Sequence, residues 1–189
     1  MKSVFLRLLA TLAVMCAPGL VRESGAVLVG DPQTIAGPLL EGPQFSHVAD
    51  LDGDGDGDVL VASFEDQTLA WYENRLNEKS NDFSLANVLT RNADNTRRIL
   101  AADLDGDGDD DILGTAHGID DIVWFENQLN ESTNDFGPEK SLTFFRTQTN
   151  CLIASDMDGD GDIDIVSADR NELIWLENRL DEPSQNFSR

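Results

Sequence analysis

A nine-residue run of alternating aspartates and other residues, most of them glycine, occurs three times along the chain and constrains the fold more than any other feature. The copies are Asp50-Leu51-Asp52-Gly53-Asp54-Gly55-Asp56-Gly57-Asp58, Asp103-Leu104-Asp105-Gly106-Asp107-Gly108-Asp109-Asp110-Asp111, and Asp156-Met157-Asp158-Gly159-Asp160-Gly161-Asp162-Ile163-Asp164. Their first aspartates lie 53 residues apart in both intervals. Trp71, Trp124 and Trp175 recur at intervals of 53 and 51, and Phe83, Phe136 and Phe187 follow with the same offsets. A period held by three different markers means one structural unit copied in tandem. One such unit cannot bury both of its faces, so the copies must stack on one another, in a ring or in a row.

Each copy has the same internal order. A short apolar stretch enters the Asp/Gly run, as in Ser46-His47-Val48-Ala49, Ile99-Leu100-Ala101-Ala102 and Leu152-Ile153-Ala154-Ser155. A second follows it: Val59-Leu60-Val61-Ala62, Ile112-Leu113-Gly114 and Ile165-Val166-Ser167-Ala168. A third carries the tryptophan and closes with Glu73-Asn74, Glu126-Asn127 or Glu177-Asn178. A polar turn then leads to the phenylalanine and a weaker fourth stretch. Short runs rich in Val, Ile and aromatics, bounded by Gly, Asn and Asp, are strand signals. No helical period persists through the repeats. The expectation is an all-β chain of four-stranded antiparallel blades, a partial β-propeller. The repeats divide at 46–98, 99–151 and 152–189, the last stopping before its fourth strand, with a strand or linker over 27–45. Val27 to Leu40 is available to supply that strand in exchange. The tryptophans are expected in the core between blades.

Carboxylates at positions 1, 3, 5, 7 and 9 of each run fit a hard cation. Calcium takes about six to eight oxygens at roughly 2.3–2.6 Å, and alternate residues of a tightly curled loop converge on such a centre. Glycine at position 6 (Gly55, Gly108, Gly161) lets the backbone bend where a side chain would clash. The candidate metal residues are therefore Asp50, Asp52, Asp54, Asp56 and Asp58; Asp103, Asp105, Asp107, Asp109 and Asp111; and Asp156, Asp158, Asp160, Asp162 and Asp164. Position 7 is expected to offer its carbonyl and turn its side chain to water. About three Ca2+ ions, coupled to folding, are expected. Magnesium is disfavoured by its strict octahedral demand, and zinc by the lack of Cys/His ligand spacing around His47 and His117. An EF-hand would need Glu at position 12, where Val61, Gly114 and Ser167 stand, and helical flanks.

Charge and targeting signals bound the setting. The chain has 189 residues and a formal net charge of −23, from 36 acids and 13 Lys plus Arg. Of those acids 16 fall in the three runs. A surface of that sign repels phosphate backbones, which excludes nucleic acid as a partner. Lys2 and Arg7 precede an apolar run, Leu8 to Val21, too short for a membrane span of roughly 20 residues. Residues 1–26 read as a signal peptide cut after Ala26, with Ala17 as the alternative. The mature chain then has no transmembrane span, and secretion or a cell-surface location is expected. Cys16 leaves with the signal, and Cys151, inside an apolar run, reads as a buried thiol. Asn130-Glu131-Ser132 and Asn186-Phe187-Ser188 match the glycosylation acceptor pattern.

The pattern Ala-Asp-x-Asp-Gly-Asp-Gly-x-x-Asp, an apolar strand, Trp-x-Glu-Asn and then Phe resembles the FG-GAP/VCBS repeats of the integrin α-chain N-terminal β-propeller superfamily, over roughly Ser46 to Ser188. The resemblance implies an extracellular calcium-binding propeller, with calcium in the loop joining the first two strands of a blade. Carried over, the ligands are the carboxylates at positions 1, 3, 5 and 9 and the carbonyl of position 7. The Phe-Gly and Gly-Ala-Pro signature is largely absent, Phe136-Gly137-Pro138 being its nearest remnant. The superfamily's propellers have about seven blades and three repeats stand here, which leaves open a fragment, a truncated product or one part of a paired ring. Exposed blade ends predict self-association.

The function expected is protein or glycan binding or adhesion through a calcium-dependent module. No nucleophile–base pair, phosphate loop or acid pair stands outside the metal runs, so no enzyme is expected. The alternatives are a polysaccharide-active enzyme fragment and a purely structural spacer.

Overall fold

The computed structural model describes residues 34–35, 40–80, 82–116, 121–144, 149, 151–168, 172–180 and 186–188. The signal segment 1–26 with both cleavage sites and Cys16, the stretch 27–33 and His117 lie outside the described residues.

Among the described residues the fold is all-β, and its three blades follow the sequence period. The first is β1 (Pro43–Ala49), β2 (Asp58–Ser63), β3 (Thr68–Tyr72) and β6 (Asn87–Thr90), hydrogen-bonded in the order β1-β2-β3-β6. The second is β7 (Ile99–Ala102), β8 (Asp111–Ala116), β9 (Asp121–Phe125) and β12 (Lys140–Phe144). The third is β13 (Cys151–Ser155), β14 (Asp164–Ala168) and β15 (Leu173–Arg179). Neighbouring strands within each blade are antiparallel.

The phenylalanine of each repeat serves a small side ladder. β4 (Asn74–Arg75) pairs with β5 (Asp82–Phe83), placing Asn74 opposite Phe83. β10 (Asn127–Gln128) pairs with β11 (Asp135–Phe136), placing Asn127 opposite Phe136. In the third repeat β16 (Asn186–Ser188) pairs with the end of β15, placing Asn178 opposite Phe187. β16 is thus the counterpart of β5 and β11. A counterpart of β6 and β12 is not among the described residues of the third blade, and the segment 27–40 shows no strand at its described positions 34, 35 and 40.

The core lies between blades, and side-chain alternation explains how. In the second blade Ile99, Ile112, Val123 and Phe125 point to one face and pack with Leu60, Ala62, Leu69 and Trp71 of the first blade. Leu100, Leu113, Ile122 and Trp124 point to the other face and pack with Leu152, Ile165, Ile174 and Leu176 of the third. Every residue of β8 is buried, because its blade is covered on both sides. Gly114 sits on the face toward the first blade, and Leu69 fills the space where its Cβ would stand.

Two expectations about side chains need correction. Trp71 and Trp124 are inter-blade core, at 6% and 5% exposure, but Trp175 is 43% exposed. Its face of the third blade has no further blade against it among the described residues. Cys151 is half-buried, not buried, because it opens β13 at the blade's edge and the inward position belongs to Leu152.

Candidate metal centre

Each Asp/Gly run is the loop between the first two strands of its blade, β1–β2, β7–β8 and β13–β14. The first aspartate organises the loop by accepting backbone hydrogens from inside it. Asp50 accepts from the Gly55 N–H at 3.0 Å. Asp103 accepts from Gly106 and Gly108, at 2.8 and 3.0 Å. Asp156 accepts from Gly159 and Gly161, at 2.7 and 3.2 Å. The turn requires left-handed backbone at position 6, with φ of 94°, 100° and 106° at Gly55, Gly108 and Gly161, and equally at position 4, with 75°, 76° and 85° at Gly53, Gly106 and Gly159. Only the first of these two requirements was evident in the sequence.

The loops bring carboxylates together. One oxygen each from Asp50, Asp52 and Asp54, from Asp103, Asp105 and Asp107, and from Asp156, Asp158 and Asp164 lie within 4.8 Å of one another. Oxygens bound to one calcium at about 2.4 Å cannot be farther apart than about twice that, so all three groups meet the geometric condition for a shared ion. The donor set is all-oxygen and anionic, which suits a hard divalent cation and not zinc. In the third loop Asp164, from position 9, joins the group in place of position 5, although Asp160 accepts from the Asp162 N–H at 3.0 Å just as Asp54 and Asp107 accept from Asp56 and Asp109.

Position 9 braces the loop base. Asp58, buried, accepts from the Leu51 N–H at 3.0 Å and the Asn74 N–H at 2.8 Å. Asp111 accepts from Leu104 and Asn127, and Asp164 from Met157 and Asn178, in the same way. Position 7 is not turned freely to water, as the sequence suggested. Asp56 accepts from the Asn77 side chain at 3.3 Å and Asp109 from Asn130 at 3.3 Å, both donors coming from the turn of the side ladder. Asp162 is half-buried.

Burial dominates the electrostatics. It pushes the Asp58 carboxyl up to about 6 and that of Asp111 up to about 7, against the backbone hydrogen bonds that favour the anions. Burial also raises Asp52 and Asp105, with neighbouring aspartates adding to the shift. A cation in the loop would offset each of these costs.

The asparagine of the Glu-Asn pair carries a role the sequence reading missed. Asn74 donates its amide to the Gly57 carbonyl of its own loop at 3.0 Å. Asn127 and Asn178 donate to the matching carbonyls, Asp110 and Ile163, at 2.9 and 3.0 Å. Their recurrence directly after Glu was the available signal.

A cleft of about 430 Å³ opens beside the first loop, lined among others by Asp52, Asp54, Trp71, Glu73, Asn87 and Asn130. Glu73 is held above the ordinary carboxylate range by burial. Its repeat equivalent, of about 300 Å³, is lined by Asp105, Trp124, Lys140 and Leu180. There Lys140, in the position of Asn87, lies 4.1 Å from the Trp124 ring centre and bonds to Glu126, whose carboxyl it lowers. Among the described residues no helix is long and apolar enough to cross a membrane.

No curated protein matches the chain. A solved structure of an Agrocybe aegerita lectin, studied for its specific recognition of non-reducing terminal N-acetylglucosamine, is similar at 20% identity with a TM-score of 0.48. The similarity covers 75% of this chain and 36% of the lectin, so the chain spans about a third of that protein's length. Residues 50–114, from the first Asp/Gly loop through the second and into β8, match the FG-GAP-like repeat. The match falls on the loop-and-blade unit, so residues 50–114 carry an FG-GAP-like repeat.

Proposed function

We propose that the chain is a secreted calcium-binding module that recognises an extracellular glycan or protein. The observation that carries this reading is the placement of Asp52 and Asp54. Both belong to the first Asp/Gly loop, and both line the cleft between the first and second blades together with Trp71, Asn87 and Asn130. A calcium ion held there would present open coordination to a hydroxyl pair or a carboxylate of the ligand, while the amides donate to its oxygens. The ring of Trp71 borders the same space. The second cleft is the poorer candidate, since the Lys140 side chain lies over Trp124 within it. The basic start and the apolar run of the first 26 residues support secretion.

The test is a glycan array and an extracellular-protein panel, each probed in calcium and in chelator. Asp52→Ala with Asp54→Ala should abolish the calcium-dependent signal. Unchanged binding by that double variant refutes the reading.

We read the chain as a binder and not as an enzyme. Glu73 and Glu126 are repeat-equivalent, and Lys140 already pairs with Glu126. A hydrolytic alternative draws on Glu73, raised by burial beside Asp52 in the first cleft. Turnover of an acidic polysaccharide that Glu73→Gln abolishes would establish it.

Self-association belongs to the same proposal. Ile153 and Leu173 are 51% and 78% exposed on the outer face of the third blade, beside Trp175. Their equivalents in the second blade, Leu100 and Ile122, are buried against the next blade. A second copy is the occupant proposed, because repeat-equivalent positions are covered by blade-on-blade stacking within this chain. Leu173→Glu should shift the protein toward monomer in light scattering, and a monodisperse wild-type monomer refutes the idea.

A further inference from the structure

The geometry points to Asn127 and Asn178 as positioning residues that couple each cation loop to the loop of the preceding blade, so that the three sites bind in concert. The inference rests on the calcium reading above. Each asparagine amide has two hydrogens. One goes to its own loop, as described, and the other crosses to the neighbour. Asn127 donates to the Leu51 carbonyl at 2.8 Å, and Asn178 donates to the Leu104 carbonyl at 2.7 Å. Both asparagines and both leucines are buried.

The receiving residue is the one best placed to feel an ion. Leu51 stands between Asp50 and Asp52, and its N–H bonds to Asp58. Leu104 stands between Asp103 and Asp105, and its N–H bonds to Asp111. The rest of each asparagine is tied to its own blade. The Asn127 N–H donates to Asp111 at 2.7 Å, and its side-chain oxygen accepts from Leu129 at 3.0 Å. Asn178 makes the matching bonds to Asp164 and Leu180. The chain of bonds therefore runs from loop one through Asn127 to loop two, and through Asn178 to loop three. Asn74 makes the own-loop bonds, and no bond to another loop is found for it among the described residues.

Without an ion, the clustered carboxylates of a loop repel and loosen it. A loosened loop presents its leucine carbonyl poorly, and the buried amide of the next blade loses a partner it cannot replace from water. Ordering one loop therefore favours ordering of the next, and by linkage the effect is reciprocal. Plain electrostatics has the opposite sign. A divalent ion in loop one repels an ion in loop two, so emptying loop one would tighten loop two.

That difference in sign sets the experiment. Full-length protein is titrated with calcium by calorimetry, as wild type and as Asp54→Asn, an exposed change that disables loop one. Coupling predicts that the remaining sites weaken by about fivefold or more. The same pair is then compared in an Asn127→Asp background, which keeps the acceptor for Leu129 but removes the amide hydrogens. There Asp54→Asn should leave the remaining sites unweakened. Remaining sites that are unchanged or tighter in Asp54→Asn alone overturn the coupling and leave calcium binding intact. A weakening that persists in the Asn127→Asp background overturns the assignment to Asn127. If Asn127→Asp does not fold, the sign of the Asp54→Asn effect alone decides. Absence of calcium binding in the wild type overturns both this inference and the reading beneath it.

Discussion

Replacing Gly114 by alanine tests whether the first two blades pack as described. The added Cβ would fall inside the Leu69 methyl shell, with two further Leu69 atoms at 3.3 and 3.4 Å. Leu69 is wholly buried in the cluster holding Trp71, Ile99, Ile112 and Val123, so it has no empty side to move into. Overpacking of this kind costs about 1–3 kcal/mol. At about 2–4 °C per kcal/mol for a domain of this size, a mid-range cost lowers Tm by about 4–8 °C. Leu69→Ala alone removes the clash partner but leaves a cavity, at about 2–5 kcal/mol. In that background the methyl added by Gly114→Ala occupies part of the vacated space, and Gly→Ala also restricts the unfolded chain by about 0.4–1 kcal/mol. Gly114→Ala should therefore destabilise the wild type and stabilise the Leu69→Ala protein. Urea unfolding of the four proteins at one fixed calcium concentration reads the cycle. Additive effects, or a wild-type midpoint for Gly114→Ala, refute this packing.

Further outcomes are expected. In the metal-free protein, Asp58 and Asp111 keep their protons in the folded state up to about pH 6 and pH 7. Their unfolded values are lower, so the folded state binds more protons and stability falls as pH rises from about 4 through about 7. Thermal melts in chelator should give a higher Tm at pH 5 than at pH 8, and a flat or rising profile contradicts this. Asp111→Ala strands the Leu104 and Asn127 N–H groups and should cost about 2–4 kcal/mol in chelator, where loss of a metal ligand cannot contribute. Lys140→Met removes the contact with Trp124 and the pair with Glu126 and should cost only about 0.5–1.5 kcal/mol, read by urea unfolding. In the monomer, iodide should quench Trp175 alone of the three tryptophans, as single-tryptophan versions of Leu173→Glu will show.

Much of the fold was legible because the repeat supplied its own alignment. Period, strand order and the loop position all follow from three aligned copies, and β1, β7 and β13 begin within three residues of the repeat starts. Faces were not legible. In β8 both faces are apolar since both are covered, so Ile112 and Leu113 carry no sequence mark of which blade each one meets. Trp175 looked like Trp71 because the repeat is the same, and only the neighbour differs. In the loops the acidic pattern named every carboxylate but not its task. Position 9 accepts two backbone hydrogens and position 7 accepts a distant asparagine, which alternation alone does not distinguish from a ligand. The reach of Asn127 to Leu51 spans 76 residues and required the stacking of blades to be seen.

Calcium titration of the metal-free protein by calorimetry, with a thermal melt at each end point, is the most direct measurement. Three carboxylate groups, each close enough to share one ion, predict about three ions per chain and a raised Tm, with magnesium a poor substitute. No heat of binding at millimolar calcium, with an unmoved Tm, would mean that these loops hold their shape through backbone hydrogen bonds alone and are not metal centres.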